Sequence, residues 1–200
     1  MLVGLFLAIV TSASPDWQLV VNGDVQVYTR PKANCAEEVR GDMVMRVSAA
    51  EVRAVLLDEE YARRAPYMAE FRAIAHPTPN TWVHYTRLAL PIVDDRDYFI
   101  EITLESDLAP DGSGEYRSSW KPWGLDRPAR RGVVRMVHNE GYWRVRSTPD
   151  GAHAEVEYDL ALDPGGLIPA WIAEAGNKRI LPDVMRGIEA EALRRRSLAK

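Results

Sequence analysis

The chain has 200 residues, 46% of them hydrophobic and 27% charged, with a formal net charge of −4. That length points to one domain with enough apolar material for a core. The acidic balance argues against nucleic acid as a main partner, because phosphate binding needs a basic face. The single cysteine, Cys35, rules out an internal disulfide.

Residues 2–10 form an apolar run. It is too short to span a bilayer, which needs about 20 residues. The length fits a signal-peptide core, and Thr11-Ser12-Ala13 supplies small residues for cleavage, although no Lys or Arg precedes the run. The reading is a signal peptide over 1–13 and a folded domain over 17–196, in a periplasmic or secreted protein. Retention of Met1 would place it in the cytoplasm instead. No other stretch is apolar enough to cross a membrane.

Residues 17–21 and 25–29 read as short strands around Asn22-Gly23, a hairpin signal because both residues tolerate positive φ. Residues 41–47 alternate, with Met43, Met45 and Val47 on one side. Ser48 followed by Glu51 is a capping box, and Val52, Val55 and Leu56 give the helix behind it an apolar face. A second short helix over 59–64 ends at Pro66. From Tyr67 the pattern is a meander, with strands at 71–76, 81–90, 98–104, 115–121, 133–138, 142–147 and 152–162 between Gly-, Pro- and Asn-rich turns.

Alternation assigns faces to these strands. Tyr98, Ile100, Ile102 and Leu104 oppose Glu101, Thr103 and Glu105. Tyr116, Ser118 and Trp120 oppose Glu115, Arg117 and Lys121, and Trp143 and Val145 oppose Arg144 and Arg146. An apolar inner face and a charged outer face therefore recur. For 81–90 alternation leaves the choice open between Val83, Tyr85, Arg87 and Ala89 on one face and Trp82, His84, Thr86 and Leu88 on the other. An inward Arg87 would need a carboxylate or the polar head of a ligand.

The last strand, with Val156, Tyr158, Leu160 and Leu162 on one face, breaks at Asp163-Pro164-Gly165-Gly166. Beyond the break the apolar spacing becomes helical, through Ile168, Trp171, Ile172 and Ala175 and then Leu181, Val184, Met185 and Ile188. Pro169 suits a first helical turn, and Pro182 is expected to kink or split the helix. A sheet with one apolar face needs a cover. This helix is the expected cover, with Gly165 and Gly166 as its hinge.

In order, the Gly141-x-Trp143 strand, the turn at Pro149 and Gly151, the Tyr158 strand, Asp163-Pro164-x-Gly166 and Pro169-x-Trp171 resemble the C-terminal signature of the START lipid-transfer family. The upstream runs VQVYTRP (25–31) and LPIVDDRDYF (90–99) resemble START motifs as well. Glu174 departs from the Asn that the family often carries there. The resemblance covers nearly the whole chain. It implies an α+β helix-grip fold (START/Bet v 1-like), a curved antiparallel sheet wrapped around a long C-terminal helix, with one hydrophobic ligand held between them. It also implies two helices after the third strand.

The inner face carries Tyr, Trp, Ser and Met beside aliphatic residues. A sealed core favours Leu, Ile and Val, and buried Tyr and Trp need a partner for their polar atom. An ordinary core with a few satisfied aromatics fits these residues equally, and the resemblance favours a cavity. The candidate lining is Tyr85, Arg87, Tyr98, Ile100, Ile102, Tyr116, Trp120, Met136, Trp143, Tyr158, Leu167, Ile168, Trp171 and Ile172. The implied function is carriage of a lipid or sterol, with no catalytic residue, metal or cofactor and with the protein as a monomer. Trp120, Trp123 and Leu125, beside Arg127, Arg130 and Arg131, read first as a loop folded back on the sheet with solvated arginines, and also suit transient membrane contact. The alternative is an aromatase/cyclase-type enzyme of the same superfamily, for which His84, Tyr85 and Arg87 are the available cluster. A third class is a protein-interaction module using the same groove.

Other chemistries find little support. Asp94-Asp95-Arg96-Asp97 reads as an ion-paired loop before it reads as a metal site. His76, His84, His138 and His153 lack ligand spacing. Ser113 lacks the Gly-x-Ser-x-Gly elbow, and no Lys-Ser/Thr pair follows Gly165-Gly166.

Overall fold

The computed structural model describes residues 16–33, 35–166 and 180–199. The apolar N-terminus and residues 167–179 lie outside the described residues. The signal-peptide reading and the expected lining residues Leu167, Ile168, Trp171 and Ile172 therefore lie outside them too.

Among the described residues ten strands make one mostly antiparallel sheet: β1 (Gln18–Val21), β2 (Gln26–Lys32), β3 (Cys35–Met45), β4 (Met68–Thr78), β5 (Thr81–Leu88), β6 (Asp95–Ser106), β7 (Glu115–Pro122), β8 (Val133–Arg135), β9 (His138–Ser147) and β10 (Ala154–Asp163). Their order is β1-β2-β3-β10-β9-β7-β6-β5-β4, with β8 paired to β6 off this path. The last strand thus enters between β3 and β9 and joins the N-terminal hairpin to the meander. One expectation changes. Residues 133–138 are not a single antiparallel strand, because β8 runs parallel to β6 and ends at Arg135. The Arg135 guanidinium is drawn to Asp97, and the Met136 N–H donates to the Asp97 carbonyl at 2.9 Å, which turns the chain there.

Two helices follow β3, as expected. α1 (Ala49–Leu56) is closed by the capping box: Ser48 Oγ accepts from the Glu51 N–H at 3.3 Å and Glu51 Oε2 accepts from the Ser48 N–H at 2.8 Å. α2 (Glu59–Ala62) is capped by Asp58. The C-terminal helix, α3 (Leu181–Leu198), holds Pro182 in its first turn. The expected kink or split at Pro182 concerns the join to residues 167–179, which lie outside the described residues.

α1 and α3 pack on one half of the sheet and seal a core of Val25, Val27, Met45, Val52, Val55, Val145 and Met185. Gly41 makes the close approach possible, because a Cβ there would lie 2.3 Å from Leu181 Cδ2 and 2.7 Å from Met185 Sδ. Ion pairs fasten the rest of α3: Arg186 to Asp24, Arg46 to Glu189, Arg64 to Glu191, Arg195 to Asp58, and Arg196 to Glu51. The Arg196 guanidinium holds the Glu51 carboxyl down to about 2.

Candidate ligand-binding face

The strand register brings the inner side chains into rows across the sheet. One row runs Trp82, Ile102, Trp120, Gly141, Leu160. The next runs Leu104, Ser118, Trp143, Tyr158, Gly41. A third, Tyr116, Val145 and Val156, lies in the sealed core. The first two rows differ from the third in coverage. Ile102, Trp120, Leu104, Trp143 and Tyr158 are only half-buried, as are His84, Tyr98 and Ile100 beside them. The sheet thus has a sealed half under α1 and α3 and an accessible aromatic half over β5, β6, β7, β9 and β10.

The aromatic half is ordered. Trp143 stacks on Tyr158 with centroids 4.1 Å apart, and Trp120 lies 5.8 Å from the same ring. Trp120 Nε1 donates to Asn139 Oδ1 at 3.0 Å, which satisfies the indole and fixes its plane. The Trp120 indole lies over Gly141: a Cβ there would sit 2.6 Å from Trp120 Cζ2 and 2.1 Å from the Asp159 carbonyl oxygen. That contact is the physical reason for glycine in Gly141-x-Trp143.

Burial pushes the phenols of Tyr98 and Tyr158 up, the Thr86 hydroxyl offsetting it at Tyr98 and the charge of Tyr98 adding to it at Tyr158. Both rings nevertheless keep accessible surface. Burial likewise holds His84 below the usual imidazole range, against the pull of Glu59 at 3.9 Å, and its Nε2 has no hydrogen-bond partner. Near neutral pH these groups present two neutral phenols and a neutral imidazole, which suit an uncharged or weakly polar guest.

The register settles the open strand. Thr86 pairs with Tyr98 and His84 with Ile100, so Trp82, His84, Thr86 and Leu88 face inward. Tyr85 and Arg87 are on the outer face, a correction to the candidate lining. Tyr85 Oη donates to Asp97 Oδ2 at 3.2 Å, and Arg87 pairs with Asp95 and Glu70. A second correction concerns Tyr116 and Met136, 1% and 3% exposed, which are sealed and offer no accessible surface. Tyr98, Ile100, Ile102, Trp120, Trp143 and Tyr158 lie on the accessible face as expected.

Sequence reasoning missed Arg96. It shares the parity of Tyr98 and Ile100, and it belongs to β6 and not to a loop. It is 2% exposed, donates to the Asp94 carbonyl, has no hydrogen-bond partner for Nε, and lies beside Gly166 at the mouth of the strand-to-helix connection. No ion pair to a carboxylate holds it among the described residues, and it is as sealed as Tyr116 and Met136. Reading Asp94–Asp97 as one loop hid it. Asp95 and Asp97 turn outward to Arg87 and Arg135. Among the described residues no cluster of His, Cys, Asp or Glu could hold a metal ion. A separate cleft of about 530 Å³ opens on the outer face, lined by Asp42, Arg144, Arg146, Glu155 and Glu157. It mixes both charges, has no aromatic lining, and does not suit an apolar guest.

No family model matches the chain. An uncharacterized protein of Pseudomonas aeruginosa is 24% identical over 184 residues, 90% of this chain and 88% of the relative. Among solved structures, the STAR-related lipid transfer protein of Xanthomonas axonopodis is 25% identical with a TM-score of 0.72, covering 88% of this chain and 98% of that one. The human StAR-related lipid transfer protein 5 is 17% identical with a TM-score of 0.75, covering 90% and 86%. The Zhui aromatase/cyclase of a Streptomyces species is 16% identical with a TM-score of 0.56, covering 79% and 94%. With the sheet order and the C-terminal helix above, these likenesses give this chain a START-like helix-grip fold.

Proposed function

We propose that the protein binds one lipid or sterol against the aromatic half of its sheet and carries it between membranes without changing it chemically. The observation that carries this reading is the contrast within one sheet face, with a sealed aliphatic half beside an accessible half built from Trp120, Trp143, Tyr158 and Tyr98. Burial of apolar ligand area drives binding at ~25 cal/mol per Å², and His84 and the phenols orient the guest. The aromatase/cyclase alternative loses two of its three residues, since Tyr85 and Arg87 are on the other face from His84.

Native mass spectrometry of gently purified protein, with extraction of what it holds, tests the reading. Trp143→Ala and Tyr158→Ala are expected to weaken lipid affinity about tenfold or more, in line with lost aromatic area. Denaturant melts of the same variants are expected to shift by less. Equal losses in both, or a wild type that binds no lipid or sterol, would sink the proposal.

Export belongs to the same reading. Protein isolated from its native host is expected to begin near Ser14 by N-terminal sequencing. An intact Met1 on soluble cytoplasmic protein would refute it.

A further inference from the structure

We propose that the outer face of β4, β5 and β6, with the loop over 123–132, is a docking surface for an anionic lipid bilayer that works through arginines and not through inserted indoles. It rests on the carrier reading above, which requires the protein to meet membranes.

The two tryptophans expected to anchor the protein are unavailable. Trp120 is on the inner face and bonded to Asn139. Trp123 is half-buried, 6.1 Å from Phe99, with the Arg127 guanidinium stacked 4.8 Å above its ring. Only Leu125, 53% exposed, offers a large apolar side chain from this loop.

What the surface does present is a row of rings carrying guanidinium groups. Tyr85 and Phe99 lie 4.8 Å apart, and Phe99 leads on to Trp123. Arg72 and Arg130 stack over Tyr85 at 4.9 and 5.3 Å, and Arg127 and Arg135 over Phe99 at 5.4 and 5.0 Å. With Arg87 these five cations share three carboxylates. Glu70 alone serves Arg72, Arg87 and Arg130, while the buried Asp97 is taken by Arg135. Arg127 is in no ion pair among the described residues. The exposed Asp126 and Arg131 of the same loop cancel in formal charge. Around these rings cations exceed carboxylates by two, while Glu101, farther along the outer face of β6, pairs with Lys121.

Guanidinium groups stacked on rings keep their planes fixed and their N–H edges available for bidentate contact with phosphate. Lipid headgroup phosphates are the complementary partner for such a surface. Its position fits delivery. β8 joins the patch to the strand-to-helix connection, where a Cβ on Gly165 would lie 3.1 Å from Val134 Cγ1. A protein docked by these arginines brings the end of β10 and Gly165-Gly166 toward the bilayer.

Vesicle co-sedimentation tests the proposal. The full chain is mixed with vesicles of phosphatidylcholine alone and of phosphatidylcholine with an equal part of phosphatidylglycerol, at low and raised salt. Binding is expected on the anionic vesicles only, falling about tenfold on raising the salt. Arg127→Gln combined with Arg130→Gln should weaken it about tenfold, with melting temperature and retained ligand unchanged. Equal binding to neutral vesicles, salt-insensitive binding, no vesicle binding, or an unaffected double variant would each overturn the proposal. Binding to polyglutamate as tight as to anionic vesicles would assign the patch to an acidic protein and also overturn it. Loss of retained ligand with vesicle binding intact would count against the carrier reading alone and leave the docking surface standing.

Discussion

Gly141→Ala is expected to destabilise the protein by about 3 kcal/mol, at the upper end of overpacking costs. The added Cβ would meet the Asp159 carbonyl oxygen at 2.1 Å and Trp120 Cζ2 at 2.6 Å. The first contact is the worse one, because a backbone carbonyl in the middle of the β9–β10 ladder cannot swing aside without breaking pairing. The second tilts the indole off Asn139 and disorders the stack on Tyr158. Gly41→Ala makes the useful comparison. Its added atom meets only the ends of the Leu181 and Met185 side chains, which can rotate, so a smaller loss is expected. Denaturant melts of both variants decide the matter. A Gly141→Ala protein as stable as wild type would show that the close approach of β9 and β10 is not real.

Stability is expected to fall as pH rises from about 4 toward 8, through a carboxyl pair on the outer face. Asp159 and Glu38 are both nearly inaccessible there, with Arg30 and Lys32 bonded to Glu38 and with Lys32 also reaching Glu140. Burial, together with the neighbouring Glu38, pushes the Asp159 carboxyl up to about 7 from 3.8. Between those values the folded protein holds a proton that the unfolded chain has released. The stabilisation is complete below the unfolded value and is lost as pH rises through about 7. Glu38 acts in the opposite sense: burial raises its carboxyl, Arg30 and Lys32 outweigh this, and its contribution is lost at acid pH instead. Asp159→Asn should therefore flatten the decline, a difference on the order of 2 kcal/mol across the range. Urea melts of wild type and variant at several pH values measure it. Parallel curves for the two proteins would rule out Asp159 as the titrating group.

Much of the inner face was readable because strand side chains alternate strictly. Tyr98, Ile100, Ile102, Trp120, Trp143 and Tyr158 needed only their own parity to be placed together. Ser48 and Glu51 announced the start of α1 for a similar reason, since a capping box is a contact between residues three apart. The errors came where parity gave two equal answers or where a local charge run misled. Strand 81–88 has a ring or a long side chain on both faces, so only its pairing with β6 could show that Tyr85 and Arg87 point outward. Asp94 to Asp97 read as an ion-paired loop; the ion pairs are there, from Arg87 to Asp95 and Arg135 to Asp97, but Asp95 to Asp97 belong to β6, paired with β8.

The sequence by itself determined the strand periodicity, the cap of α1 and the glycine break before the C-terminal helix, because these follow from neighbours along the chain, and its resemblance to the START family implied the class of fold. Only the tertiary structure decided which half of the apolar face is sealed and which stays accessible. That choice depends on where α1 and α3 rest, and α3 rests over Gly41, 140 or more residues away in sequence. It also decided that Tyr116 is core while Tyr158, of the same residue type and face, is accessible. Burial is set by what comes to lie on top of a side chain, and no spacing within one strand encodes that.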